Sequence, residues 1–480
     1  MTSLFPSHGR VGSKQPLEAA KYGATGGHRN GLLRNLRLGL LLSCLILLPA
    51  SQFAADHPQL SKDQMARAGA RFTGQVGSVS VEKLRERLLS LNQDISQHGI
   101  LDFPGAKEKL LTGYSYGEFY DWDLYFENLY LSYYGISDYN FSNLKLFLDR
   151  QQGDGFVSRT LKEPRPTQMF KPFLAQIAVL GSTQRHNDYS WLRDGYYEKL
   201  QKYIDRWFAY DADHNGLPVW NSADASGMDN QYSRAGVFDA FYDEGVDLEC
   251  YLVRELRAMA VIANQLGKHK EAEEYAKRAR RLSTAINTIL WDDKDGFYYD
   301  RDQKTGQRIR VKSVAGFLPL WAGVATPAQA RRLVKQHLLN EKEFWTKYPV
   351  PSYALTEPDY YQGSKTERGE CNWRGTTWIP TNYMIFHGLV RYGFKQEART
   401  LADRTFDLAL NQNASTREYY DADTGQGNGL NPFWGWSSLA YAMPLEYDLG
   451  YDPTNLDAPI FAILPDTLGI SFHQEQPVKK

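Results

Sequence analysis

Apolar side chains recur at helical spacing along most of the chain after residue 80. Leu84, Leu88 and Leu91 follow one another at intervals of four and three residues, which is the spacing of one face of an amphipathic helix. Thr326 followed by Pro327 predicts the start of another helix, because threonine is a good N-cap and proline is tolerated at the first helical position. Helix is therefore the dominant predicted element.

Two regions each contain a pair of consecutive helical patterns. The segments 247–266 and 268–290 flank Gly267, and the segments 381–392 and 396–410 follow the same design. Two helices joined by a short glycine-containing connection form a helical hairpin. Repeated hairpins without strand–helix alternation predict an all-α fold, a toroid of paired helices whose long, aromatic-rich loops hold the site at its open end.

Three short acidic segments that contain glycine separate helical patterns, at residues 211–216, 292–296 and 421–425. The first resembles a calcium-binding loop, but the twelfth position counted from Asp211 is Ser222 instead of a glutamate. Aspartate and glycine are also the ordinary residues of tight turns. We therefore interpret the three segments as turns and expect no bound metal.

The N-terminal segment differs from the rest of the chain. Three arginines precede the apolar run 38–48, and small residues follow it. This pattern is typical of a signal peptide, since the run is shorter than the roughly 20 residues of a membrane-spanning helix. We expect residues 1–55 to be a leader for export to the periplasm or the cell exterior, or an uncleaved membrane anchor. Residues 56–480 are expected to form one globular domain.

Composition narrows the class of protein. Hydrophobic residues make up 42% of the 480 positions and charged residues 23%, which is typical of a globular chain with a large core. Fifty-five basic residues balance 56 acidic ones without a polybasic stretch, so nucleic acid is not an expected partner. The three cysteines lack the spacing of a zinc site. We expect no cofactor.

Aromatic residues are abundant, with 31 Tyr, 23 Phe and 11 Trp. Tyrosine and tryptophan combine a flat apolar face with a polar group, which suits a protein core and also suits the surface of a pyranose ring. A small carbohydrate is therefore a candidate ligand, although core packing accounts for the same composition.

Two loop segments contain carboxylates among small and aromatic residues. Asp229 follows a Ser-Gly pair and precedes an amide in the stretch 220–230, and Glu418 precedes two tyrosines in the stretch 417–425. A carboxylate in a loop is most often a solvated or capping group. Local spacing alone does not show that these two groups, 189 positions apart, share one site.

Five segments resemble, in chain order, the motifs of glycoside hydrolase family 63. They are residues 120–125 (YDWDLY), 226–230 (SGMDN), 246–252 (VDLECYL), 372–378 (NWRGTTW) and 433–437 (FWGWS). The likeness is greatest to the bacterial branch of mannosylglycerate and glucosylglycerate hydrolases, and trehalases share parts of the pattern. The resemblance implies an (α/α)6 barrel in which the domain 56–480 hydrolyses an α-glycoside with inversion.

The resemblance also implies a catalytic pair. Asp229 occupies the position of the family's general acid, and Glu418 matches its general base. An inverting glycosidase needs a protonated carboxylic acid on one side of the glycosidic bond and a carboxylate that activates water on the other, about 6.5–9.5 Å apart. The acid must therefore have a raised pKa, whereas the base must stay ionised.

Further positions match sugar-binding residues of the family. Trp122 is expected to stack on the sugar ring, and Asp123 to accept hydrogen bonds from sugar hydroxyls. Arg374 either orients a catalytic carboxylate, binds a charged aglycone such as glycerate, or forms a structural ion pair. The other predicted substrate-binding residues are Tyr125, Gln168, Gly227, Asn372, Trp373, Trp434 and Trp436.

Three functions stay open at this level. The first is an α-glycosidase acting on a small α-glucoside or α-mannoside, or on a terminal α-glucose of an oligosaccharide. The second is a trehalase-like hydrolase, and the third is a non-catalytic sugar-binding protein on the same fold.

Tyr114, Tyr116 and Glu118 precede the Trp-Asp pair and are candidates to close over a ligand. The sequence does not distinguish glucose from mannose, and it does not give the oligomeric state.

Overall fold

The computed structural model describes residues 81–114, 117–220, 224–231, 242–363 and 371–459. Its α-helices are α1 (Val81–Asp94), α2 (Asp121–Ser132), α3 (Asp138–Asp149), α4 (Leu174–Gln184), α5 (Tyr196–Phe208), α6 (Val246–Gln265), α7 (His269–Ala285), α8 (Leu318–Trp321), α9 (Pro327–Arg332), α10 (Ile379–Arg391), α11 (Lys395–Leu410) and α12 (Met443–Leu449). Shorter helical segments lie at Ile95–Gly99, Ser190–Arg193, Asp224–Ser226, Ile286–Leu290, Val314–Phe317, Leu333–Leu338 and Trp436–Tyr441.

Six helical segments form a closed inner ring. α2 packs against α4, α4 against α6, α6 against α8 and α8 against α10, and the segment Trp436–Tyr441 then joins α10 back to α2. Every residue of α2 and of α4 is buried, because these helices have neighbours on all sides. A closed ring of buried helices inside a second layer is the (α/α)6 barrel that the sequence predicts.

The outer layer consists of helices that bury one face only. α7 packs along α6, and its buried residues Ala272, Tyr275, Ala279 and Leu282 lie at the spacing of a single helix face. α3 packs in the same way on α4, and α11 on α10. The charged residues of the outer helices therefore face solvent, and the apolar stripes cover the inner ring.

The predicted helical hairpins are confirmed. α6 and α7 form the first pair and α10 and α11 the second, with boundaries close to the predicted ones. Gly267 has φ +78° and Gly393 has φ +81°, the left-handed conformation in which glycine ends a helix at little cost. Thr326 begins α9 with a capping box, since its side chain accepts the Gln329 N–H.

Short strands occur only in connections within the described ranges. They are β1 (Ile100–Leu101), β2 (Leu110–Leu111), β3 (Asp243–Glu244), β4 (Trp291–Asp292), β5 (Phe297–Tyr298), β6 (Arg301–Asp302), β7 (Tyr419–Tyr420) and β8 (Gly427–Asn428), and they pair antiparallel as β1–β2, β3–β6, β4–β5 and β7–β8. The last pair aligns Tyr419 with Asn428. The β7–β8 pairing therefore holds the backbone of Tyr419 and Tyr420, directly after Glu418, in place.

The three acidic segments form tight turns. Asp211 Oδ2 accepts the Gly216 N–H at 3.0 Å, and Asp421 Oδ1 accepts the Thr424 N–H at 2.7 Å. Asp292 caps its turn in the same way through a 3.0 Å bond from the backbone of the residue three positions later. Across the described residues, no group of three or more His, Cys, Asp or Glu side chains is arranged to hold a metal ion.

The predicted leader, residues 1–55, lies outside the described residues. Its role in export or anchoring stays a prediction. In the part of the chain that the structure covers, no helix is long and apolar enough to cross a bilayer.

Candidate active site

Asp229 and Glu418 line one cavity, although 189 positions separate them in the sequence. The cavity has a volume of about 530 Å³ and is open to solvent. Trp122, Asp123 and Gly227 also line it. The fold thus brings together the two carboxylates and the Trp-Asp pair that the motifs singled out.

The loop that carries Asp229 is held by polar contacts on both sides. Ser226 Oγ accepts the Met228 N–H at 3.1 Å, which tightens the turn before the aspartate. Asn230 Oδ1 accepts the Trp373 N–H at 2.6 Å, so the residue after the aspartate ties this loop to the opposite wall. Gly227 has φ +75°, and a Cβ at this position would lie 3.0 Å from the Lys171 ammonium. Glycine is required there for both reasons.

Glu418 is fixed through its backbone and its carboxylate. Leu430 donates its N–H to Glu418 Oε2 at 2.9 Å, and Trp436 donates its indole N–H to the Glu418 carbonyl at 3.0 Å. A backbone N–H that donates to a carboxylate favours the ionised form. Glu418 keeps about a tenth of its surface exposed, toward the cavity.

Cys371 lies against both carboxylates and lines the same cavity. Its Sγ is 3.6 Å from Glu418 Oε1. Burial, together with the carboxylates of Glu418 and Asp229, raises the pKa of the Cys371 thiol well above its ordinary value. The thiol therefore stays protonated and acts as a weak donor. No sequence motif marked this residue.

Four tryptophans form the aromatic wall of the cavity: Trp122, Trp373, Trp378 and Trp436. The rings of Trp373 and Trp378 stack with their centroids 3.9 Å apart, and Trp122 lies 6.0 Å from Trp373 and 5.8 Å from Trp436. Each tryptophan thus supports the next. Trp378 ends the motif 372–378 and lines the cavity, although it is not one of the predicted site residues.

A charged network lies beneath Trp122. Lys171 Nζ contacts Asp121 Oδ1 at 3.0 Å, and both side chains are fully buried. Burial and the nearby Arg159 lower the pKa of Lys171 to about 8. Burial and the Asp121 carboxylate raise the pKa of Asp123 to about 8. The raised pKa favours the protonated form of Asp123, which can donate a hydrogen bond as well as accept one.

Two arginines that the sequence analysis missed also line the cavity. The Arg159 guanidinium lies over the Tyr120 ring at 5.2 Å. Burial lowers the pKa of Arg159, but the carboxylates of Asp121 and Asp229 outweigh it and raise that pKa overall. Arg165 is exposed at the rim. The only signal in the sequence was their position in a proline-containing loop, which carries no specific chemistry.

Five residues predicted to bind substrate lie behind the cavity wall: Tyr125, Gln168, Asn372, Arg374 and Trp434. Tyr125 follows Trp122 by one helical turn and packs in the core, with its ring 5.1 Å from Phe173. Gln168 stands behind Arg159, whose Nη1 is 3.5 Å from Gln168 Oε1. Gln168 thus contacts a residue that lines the cavity, whereas Tyr125 packs against Phe173, which does not.

The other three predicted substrate-binding residues, Asn372, Arg374 and Trp434, form hydrogen bonds within and between loops. Asn372 donates to the carbonyls of Tyr361 and Gly363 at 2.7 and 2.8 Å, so its amide is used within the loop. Arg374 is buried, and its carbonyl accepts the Tyr361 N–H at 2.7 Å. Trp434 donates its indole N–H to the carbonyl of Thr112. These three side chains are not among the residues that line the cavity, and a role in sugar binding stays a prediction for them.

Of the three residues expected to close over a ligand, Tyr114 lines the cavity and Tyr116 lies outside the described residues. Glu118 points away from the cavity. Its carboxylate accepts backbone N–H groups of the segment 161–163.

A ring of six inner helices with two carboxylates in one aromatic cavity defines a glycoside hydrolase of the (α/α)6 type. Residues 116–437, about two thirds of the chain, match the family described as "Mannosylglycerate hydrolase MGH1-like glycoside hydrolase domain". The chain belongs to this family, and the resemblance to glycoside hydrolase family 63 is confirmed.

Curated relatives match over part of their length. The mannosylglycerate hydrolase of Thermus thermophilus is 39% identical over 189 residues, which cover 38% of this chain and 40% of the relative. The cytosolic neutral trehalase of Kluyveromyces lactis is 29% identical over 199 residues, 37% of this chain and 26% of the relative. The chain thus spans less than half of the curated relatives that it matches.

Solved structures share the fold over a longer stretch. A family 63 mannosylglycerate hydrolase from Thermus thermophilus in complex with glucose has a TM-score of 0.60 at 24% identity, covering 75% of this chain and 99% of that one. The neutral trehalase Nth1 from Saccharomyces cerevisiae has a TM-score of 0.55 at 18% identity, covering 75% and 80%. These likenesses confirm the (α/α)6 barrel.

Proposed function

We propose that the protein is an inverting α-glycosidase that hydrolyses a small α-mannoside or α-glucoside with an acidic aglycone, in the manner of mannosylglycerate. Asp229 is the general acid, which protonates the glycosidic oxygen. Glu418 is the general base, which takes a proton from the attacking water. The observation that carries this proposal is that both carboxylates line one aromatic cavity within contact distance of the same thiol, Cys371.

We place the glycone next to Trp122, Asp123 and Trp436. The indole faces of Trp122 and Trp436 offer flat apolar surface to a pyranose ring. Asp123 also lines the cavity, and its raised pKa favours a carboxyl group that can donate to sugar hydroxyls as well as accept from them. The two indoles and the Asp123 carboxyl group suit an uncharged hexose.

We place the acidic group of the aglycone next to Arg159 and Arg165. Arg159 and Arg165 supply cationic groups there, and guanidinium binds carboxylate through paired hydrogen bonds. The Asp229 carboxylate is one of the groups that raise the pKa of Arg159.

The proposal is tested by hydrolysis of a substrate panel by the purified protein. The panel contains α-mannosylglycerate, α-glucosylglycerate, trehalose and an oligosaccharide with a terminal α-glucose. We expect turnover of one or both glycerate glycosides, its loss in Asp229→Asn, and full activity in the control Asp205→Asn, whose side chain is 69% exposed on the outer helix α5.

The other outcomes separate the remaining functions. Cleavage of trehalose alone indicates the trehalase-like function, for which the similarity to a Kluyveromyces lactis trehalase is the supporting observation. Sugar binding without turnover of any panel member indicates a binding protein on the same fold and contradicts the proposal.

A further inference from the structure

The buried carboxylate of Glu118 organises the backbone of a neighbouring loop. Its Oε1 accepts the N–H of Leu161 at 3.2 Å and of Lys162 at 2.8 Å, and its Oε2 accepts the N–H of Glu163 at 3.0 Å. A fourth donor is the N–H of Phe119, 2.8 Å from Oε1. Three successive amides of one loop thus converge on a single carboxylate that is 8% exposed.

These bonds determine the shape of the segment 158–168, which we call the rim loop. At its ends, Ser158 Oγ accepts the Arg165 N–H at 2.8 Å, and Gln168 O accepts the Arg159 N–H at 3.0 Å. Between them, residues 162–167 are exposed. Glu118 thus binds three successive backbone N–H groups of the rim loop across 43 to 45 positions of sequence, and Arg150 adds one bond to the Leu161 carbonyl at 2.7 Å.

The rim loop carries both cavity-lining arginines, Arg159 at its start and Arg165 near its middle. Among the described residues the Arg165 guanidinium has no hydrogen-bond or ion-pair partner, and the bonds of this residue, to Ser158 and Gln168, are made by its backbone. A cation without a partner at the edge of a cavity is available to an anionic ligand. Its position depends on the loop that carries it.

We propose that Glu118 is a positioning residue for aglycone specificity: by holding the rim loop it places Arg159 and Arg165 to receive the anionic group of the substrate. This inference rests on the proposed function. Glu118 does not line the cavity and so acts through the loop. Because Asp229 and Glu418 lie on other segments, removal of the Glu118 carboxylate weakens substrate binding more than chemistry.

The test compares an acidic and a neutral glycoside that differ in one group, α-mannosylglycerate and α-mannosylglycerol. Glu118→Ala leaves four backbone donors without their acceptor, so the loop relaxes and the arginines lose their placement. We expect KM for the glycerate glycoside to rise about tenfold or more, the size of one lost charge-assisted hydrogen bond, with kcat nearly unchanged. KM for the glycerol glycoside is expected to stay within about twofold.

Three further variants separate positioning from folding. Glu118→Gln keeps one acceptor oxygen and is expected to recover part of the KM for the glycerate glycoside. Arg165→Gln, an exposed change without folding risk, is expected to reproduce the selective loss. Lys162→Gln removes a positive charge from an exposed position of the same loop outside the cavity lining and is the matched control, with unchanged KM.

Equal losses for both glycosides in soluble, folded Glu118→Ala, or a fall in kcat alone, overturn the inference. Calorimetric binding of D-glycerate to the wild type and the variants gives a readout that does not need turnover. If the wild type hydrolyses neither glycoside, the proposed function fails. In that event, weaker D-glycerate binding in Glu118→Ala and Arg165→Gln still supports the role of Glu118, whereas no binding to the wild type contradicts it.

Discussion

The buried ion pair beneath the aromatic wall gives the sharpest prediction about stability. Lys171 Nζ lies 3.0 and 3.1 Å from the two carboxylate oxygens of Asp121, and neither side chain is exposed. The Asp121 carboxylate also accepts the backbone N–H of Lys171 at 3.0 Å. Lys171→Met therefore leaves a fully buried carboxylate with one backbone donor in place of three polar contacts.

Breaking a buried pair by removing one partner costs about 3–5 kcal/mol, because the other charge stays buried without compensation. The remaining backbone bond to Asp121 places Lys171→Met at the lower end, about 3 kcal/mol. The double variant Asp121→Asn/Lys171→Met removes both charges and keeps an oxygen for the backbone N–H. We expect it to lie within about 1 kcal/mol of the wild type, because desolvation of the pair largely offsets its attraction.

The measurement is urea unfolding of the three proteins, followed by circular dichroism and by tryptophan fluorescence, with the midpoint and slope compared. Recovery of stability in the double variant distinguishes an uncompensated charge from lost packing. The reasoning is refuted if Lys171→Met costs less than about 1 kcal/mol, or if the double variant is as unstable as the single one.

Two further predictions concern His387 on α10 and Gly227 in the loop that carries Asp229. His387 lies 2.9 Å from Glu446 and 3.3 Å from Asp452, and these carboxylates outweigh burial and raise its pKa. A raised histidine pKa stabilises the fold fully below the unfolded value of about 6.5 and less as pH rises through the folded value. The stability advantage of the wild type over His387→Gln should thus be larger at pH 6 than at pH 8 by thermal unfolding; an equal advantage contradicts this. Gly227→Ala should lose most of its kcat, because the new Cβ would lie 3.0 Å from Lys171. Gly216→Ala is the control, since Gly216 has φ +92° and no atom within 4 Å of the new Cβ. It should show the same left-handed strain of about 1–2 kcal/mol but keep its activity.

Helices were predictable from the sequence because their signals are local. The apolar periodicity of 247–290 gave α6 and α7, and Gly267 separated them where the structure has a left-handed residue. The tight turns at Asp211, Asp292 and Asp421 were predictable because their signal is also local. Each aspartate accepts a hydrogen bond from a backbone N–H a few positions later. The closed inner ring could be predicted only from the resemblance to glycoside hydrolase family 63. No local pattern shows that α2 packs against the segment Trp436–Tyr441.

The site was predictable only where a motif marks a residue that faces the cavity. Tyr125 and Trp122 are three positions apart on α2, yet one packs in the core and the other lines the cavity. An inner helix is buried on every side, so hydrophobic periodicity cannot show which turn reaches the open end. Arg159 and Arg165 belong to a loop whose shape is set by a carboxylate more than 40 positions earlier. Such a distant contact leaves no local pattern.

The central claim is that Asp229 and Glu418 act as acid and base of an inverting glycosidase. Proton NMR of the first turnovers of α-mannosylglycerate, or of the panel member that the protein cleaves, tests it most directly. We expect the β-anomer of the sugar to appear first, and Glu418→Gln to abolish its release while the unfolding midpoint stays near that of the wild type. Release of the α-anomer first, or turnover that survives Glu418→Gln, would contradict the account.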